Sequence, residues 1–90
     1  MINLTKSEGK DNVHELAAAQ DVVRAVLEAA KKEGAGRVTA IALRVGRTYA
    51  VENLQELIAI AAKGTIAEGA TVEAEAVPGA DIQVASIDIE

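Results

Sequence analysis

The sequence contains no cysteine, phenylalanine or tryptophan, and it has one tyrosine, one proline, one histidine and one methionine. Without cysteine there can be no disulfide, thiolate zinc site, iron–sulfur cluster or thiol nucleophile. Without large aromatics, the core has to be assembled from Ala, Val, Ile and Leu, whose small volumes require any helix to lie close to the sheet it covers. Positive charge is also scarce. Nine Lys and Arg against 14 Asp and Glu leave a net charge of −5, a field that repels phosphate backbones and makes nucleic acid and anionic membrane unsuitable partners. Long apolar runs are missing as well. The longest, residues 57–62, is far short of the roughly 20 residues needed to span a bilayer, and the N-terminal stretch lacks the apolar core of a signal peptide. The cytoplasm is therefore the expected compartment.

What is present fits one domain. Ninety residues, half of them apolar, allow a single core. Residues 1–12 are mostly polar and read as a flexible tail, although Ile2 and Leu4 alternate as a short edge strand would. Asn12 followed by Glu15 forms a capping box, which predicts an N-cap at Asn12 and a helix from Val13 to about Glu33. Leu16, Ala19, Val23, Val26, Leu27 and Ala30 fall on one stripe of that helix, with Asp21, Arg24, Glu28, Lys31 and Lys32 opposite. Gly34 is placed to end it.

Residues 37–45 alternate with period two and predict a strand, residues 46–50 turn the chain, and Val51, Leu54, Leu57, Ile58 and Ala61 recur at helical spacing up to Gly64. Ile60 lies off that stripe. Residues 71–77 alternate again, Pro78, Gly79, Ala80 and Asp81 supply turn chemistry for a hairpin, and a final strand runs from Ile82 to Ile89. Its apolar phase slips between Val84 and Ile87, which predicts a bulge near Ala85 and Ser86 and favours an interior position. The expected fold is α/β of the two-layer α+β kind. Two helices pack on one face of a mixed three-stranded sheet in the order α-β-α-β-β, with the first two strands parallel and the last antiparallel to both. An unpaired sheet edge and Ile60 point to a homodimer.

Little in the sequence suggests catalysis. Glycine pairs follow helices instead of preceding them, Glu73 and Glu75 alternate on a strand face expected to be solvated, and Ser7 and Ser86 have no histidine partner. The chain is therefore not expected to be an enzyme. His14 is the exception to the bland pattern. Its helical azimuth, near Ala18, Asp21 and Ala25, is expected to face solvent, and a lone exposed histidine is usually without function. Here, however, Asp11 and Glu15 flank it, and the N–H groups of residues 13–15 lack intrahelical partners. Imidazole with backbone nitrogen is a donor set that Ni(II) or Cu(II) accepts in a square-planar arrangement, whereas zinc wants more side-chain ligands. The capping box alone also explains Glu15.

The segment Val13-His14-Glu15-Leu16 followed by Ala19-Gln20 resembles the Met-His-Glu-Leu start of the HypA family of hydrogenase and urease nickel-incorporation accessory proteins. Gly34 with Arg37-Val38-Thr39 and then Val45-Gly46 resembles that family's first strand and turn. Residues 63–70, Lys-Gly-Thr-Ile-Ala-Glu-Gly-Ala, are the most specific match, and Ser86-Ile87-Asp88-Ile89-Glu90 resembles its closing strand. The resemblance implies that residues 13–90 form a nickel-binding domain acting with hydrogenase maturation proteins or the hydrogenase large subunit. Its metal site would centre on His14 with Glu15, and Asp11, just before the resembling segment, is the carboxylate placed to stand in for a terminal amine. It also implies departures. The family carries a two-Cys-x-x-Cys zinc domain where this sequence has only residues 78–81, so no zinc is expected. Its terminal amine ligand is displaced by twelve extra residues, and Val13 replaces methionine, so weak Ni(II) binding is expected. A metal-free interaction or scaffold domain built on the same fold is the rival reading.

Overall fold

The computed structural model describes residues 2–4 and 12–90, with side chains described from Glu15 onward. The elements are β1 (Ile2–Leu4), α1 (Asn12–Lys32), β2 (Val38–Gly46), α2 (Val51–Ala61), β3 (Thr71–Val77) and β4 (Ile82–Ile89). The expected order α-β-α-β-β holds from residue 12 onward, and β1 adds a short fourth strand that pairs Ile2 with Val84 and Leu4 with Ile82. The sheet order is β1-β4-β2-β3. Strand β3 runs parallel to β2, and β4 runs antiparallel to it, as a helical crossover followed by a direct return requires.

Strand β4 is interior, flanked by β1 and β2, and its phase slip is a bulge. Leu43 pairs with Val84 and Ala42 with Ser86, leaving Ala85 as the extra residue, so Val84 and Ile87 both reach the helix side. A second irregularity places Val38 opposite Ile89 and Ala40 opposite Asp88, with Thr39 extra. Strict alternation had set Val38 against Ile41, but this bulge lets both be buried. The expected hairpin between β3 and β4 does not form. The two strands lie on opposite sides of β2, so residues 78–81 cross over the end of β2 instead of reversing beside it.

Helix α1 ends as its glycine requires. Gly34 has φ of 69°, its N–H donates to Lys31 O at 3.0 Å, and the Ala35 N–H donates to Ala30 O at 3.0 Å. These two bonds make a Schellman cap. The buried face of α1 differs from the stripe expected from the wheel. Ala18, Ala19, Val22, Val23, Ala25, Val26 and Ala30 are buried, while Leu16 is 40% exposed. The buried arc is centred roughly 60° away from the expected one, at about 100° per residue. The cause is packing against two neighbours: α1 touches α2 as well as β4 and β1, so it buries a face turned toward both. Ala18 and Ala25, expected on the solvent side, are buried instead. In α2, Leu54 and Ile58 are fully buried and Ile60 is 58% exposed, as its off-stripe position predicts.

Candidate functional site

The first turn of α1 carries His14 and Glu15. The backbone of His14 is helical, its side chain lies outside what the structure describes, and Asp11 lies outside the described residues. Glu15 is half-buried, and its position explains why. It stands seven and eleven residues before Val22 and Val26, on the same side of the helix as these buried residues. The side chain therefore projects toward α2, where Oε2 accepts a hydrogen bond from the Ala50 N–H at 3.0 Å.

Ala50 is the N-cap of α2, with φ of −81° and ψ of 109°, and it offers no side-chain capping bond. Alanine is among the poorest residues for this position, because it leaves the helix's first N–H groups without an acceptor. Glu15 supplies a carboxylate from another element and sets negative charge at the positive end of α2. The capping box anticipated a partner inside α1; the partner the structure gives Glu15 is the Ala50 N–H at the start of α2.

Next to this contact is Tyr49, only 7% exposed. Its N–H donates to Gly46 O at 3.1 Å, and the Gly46 N–H donates to Asp81 O at 2.7 Å. The Tyr49 hydroxyl is pushed above the ordinary phenol value by burial first, then by the negative charges of Asp81 and Glu15. The folded chain thus holds this proton to higher pH than the unfolded chain. Its stabilising contribution is complete below the ordinary phenol value of 10.0 and is lost as pH rises through the folded value. Because Tyr49 is the only aromatic residue, its phenolate absorbance can be read without interference. The expected titration curve of the folded chain lies to the alkaline side of that of the chain in denaturant. Coincident curves would show that neither burial nor the two carboxylates act on it.

Glu15, Tyr49, Ala50 and Asp81 therefore come from the start of α1, the turn before α2 and the 78–81 connection, and they meet at one end of the fold. Sequence reasoning missed Tyr49, Ala50 and Asp81. The isolation of Tyr49 as the lone aromatic was the one available signal. Among the described residues, no three His, Cys, Asp or Glu side chains group as a metal site would need.

The stretch 63–70 has a structural explanation. Thr65 Oγ1 donates to Ala62 O at 2.7 Å and accepts from the Ala67 N–H at 3.0 Å, while the Gly64 N–H donates to Glu68 Oε1 at 3.2 Å. Gly64 and Gly69 have φ of 79° and 80°, values at which a side chain is strained. The loop is tied to the start of β2 by the Val38 N–H, which donates to Ile66 O at 2.9 Å. This segment joins α2 to β3 and lies away from His14 in sequence and topology.

Residues 13–82 match the family model described as hydrogenase/urease nickel incorporation, metallochaperone, hypA. The chain belongs to the HypA family. The hydrogenase maturation factor HypA of Chlorobaculum tepidum is 45% identical over 65 residues, covering 70% of this chain and 58% of that protein. The HypA of Archaeoglobus fulgidus is 41% identical over 63 residues, covering 68% of this chain and 57% of its own length. That of Dechloromonas aromatica is 37% identical over 70 residues, covering 76% and 62%. The chain thus spans less than two thirds of the length of these HypA proteins. The family match takes in the first turn of α1, the 46–50 turn and the 78–81 connection, which together make the end of the fold described above.

Proposed function

We propose that this chain takes up Ni(II) at the N-terminal end of α1 and passes it to hydrogenase maturation proteins or to the hydrogenase large subunit. Membership of the HypA family, over a segment that begins at the residue before His14, is the observation that carries this reading. His14 is the principal ligand, with backbone nitrogens near residues 13–15, and Asp11 and Glu15 are the nearby carboxylates. The nickel is cargo, so a site weaker than a resident metal centre suits the task. With no cysteine in the sequence, the chain performs this role without a thiolate zinc site. The protein acts in the cytoplasm as a carrier, not as a catalyst. No described helix is long and apolar enough to cross a membrane.

The pH dependence of nickel binding tests this proposal. Imidazole ligates only when neutral, so protons compete with nickel below the ordinary histidine value of about 6.5. Calorimetric titration with Ni(II) at a series of pH values is expected to show the association constant falling by up to about tenfold per unit below that point. An association constant that stays level down to pH 5 would mean that no imidazole holds the metal.

A further inference from the structure

We infer that Glu15 is a positioning residue for nickel uptake and not a metal ligand: its carboxylate holds the N–H of Ala50, the N-cap residue of α2, and so fixes the first turn of α1 that carries His14. This inference rests on the proposed nickel function and gives one of its two carboxylates a role. Three observations support it. The Glu15 carboxylate already has a partner, the Ala50 N–H at 3.0 Å. That donor belongs to the N-cap residue of α2, one of the helix-start N–H groups that have no intrahelical acceptor, and Ala50 adds no side-chain cap bond beside it. The side of α1 on which Glu15 stands is the buried side shared by Val22 and Val26, which directs it toward the core and α2.

The bond is also one end of a longer chain of contacts. Ala50 follows Tyr49, whose N–H reaches Gly46 O at 3.1 Å, and the Gly46 N–H reaches Asp81 O at 2.7 Å. Through backbone groups, Glu15 thereby ties the start of α1 to the connection between β3 and β4. Nickel binding that drew Oε2 off the Ala50 N–H would free the start of α2 and loosen this end of the fold. Keeping Glu15 on Ala50 leaves the histidine and nearby backbone nitrogens to the metal, a nitrogen-rich set that Ni(II) favours over carboxylate oxygen.

The test compares wild type, Glu15→Ala, Glu15→Gln and His14→Ala by Ni(II) calorimetry, by nickel d–d absorption and by amide hydrogen exchange at Ala50. Glutamine keeps an oxygen that can accept the Ala50 N–H but gives up the anionic ligand, so it separates the two roles. Glu15→Gln is expected to keep nickel affinity within about threefold and the wild-type d–d spectrum, whereas Glu15→Ala loses about tenfold, equivalent to about 1.4 kcal/mol. Protection of the Ala50 amide is expected to fall on the order of fivefold in Glu15→Ala and to survive in Glu15→Gln. Equal loss of nickel in both variants, with Ala50 protection intact in Glu15→Gln, would make Glu15 a ligand and overturn the inference. Unchanged Ala50 protection in Glu15→Ala would overturn it as well. If wild type itself does not bind nickel, or if His14→Ala binds as wild type does, it is the nickel reading that fails, and the inference falls with it. A failure of the inference alone shows only in the two Glu15 variants.

Discussion

Gly46→Ala is expected to destabilise the protein by roughly 2–3 kcal/mol, in the upper part of the range for overpacking. A Cβ at this position would lie 2.5 Å from Gly79 O and 2.8 Å from Ala80 Cα. Both are backbone atoms of the connection that crosses the end of β2, so no side-chain rotation relieves the clash. The cost is one of space and not of conformation, since Gly46 is not among the glycines with positive φ. Gly34→Ala makes the matching control. Its Cβ would meet nothing within 4 Å, but its φ is 69°, so it should cost only the roughly 1–2 kcal/mol of a left-handed residue. At roughly 4–8 °C per kcal/mol for a domain of this size, thermal unfolding should place Gly46→Ala about 10–20 °C below wild type. A midpoint within a few degrees of wild type would show that residues 78–81 do not rest on Gly46. The variant should also shift the Tyr49 titration, because moving the connection moves Asp81 away from the phenol.

Most of the fold was legible because it depends on local periodicity. The bulge at Ala85 could be read from the phase slip of Ile82 and Val84 against Ile87, and the α1 stop from a glycine after two lysines. What local patterns cannot hold is which elements meet. The rotation of the buried face of α1 arises because that helix packs against α2 and the sheet together, and no single-helix pattern contains the direction of a second neighbour. Leu16 was misplaced for that reason, as were Ala18 and Ala25. The absence of a β3–β4 hairpin has a similar origin. Pro78 and Gly79 announce a change of direction, but turn chemistry does not say whether the next strand pairs with the previous one or beyond it.

The candidate site divides along the same line. The His14 and Glu15 pair stood out in sequence because it is the lone histidine in a helix start and matches the opening of the HypA pattern. The contact of Glu15 with Ala50, 35 residues away, is tertiary and left no mark in either segment. Tyr49 enters the site through the turn before α2, and Asp81 through the crossing of residues 78–81 over β2.

Loss of nickel binding in His14→Ala is the second large effect expected. With no cysteine and no other histidine in the chain, replacing His14 removes its one imidazole and leaves no thiolate to take its place. Oxygen donors suit harder ions such as Mg²⁺ and Ca²⁺, and they hold Ni(II) far less well than imidazole with backbone nitrogen. The substitution should do little to the fold, because an exchange to alanine within a helix is well tolerated by the backbone. The decisive measurement is a Ni(II) titration of wild type and His14→Ala at neutral pH, followed together by calorimetry and by d–d absorption. Wild type is expected to give a saturable isotherm and a square-planar d–d band, and His14→Ala neither, with affinity reduced at least about a hundredfold, or about 2.7 kcal/mol. Superimposable isotherms for the two proteins would contradict uptake of nickel at the start of α1.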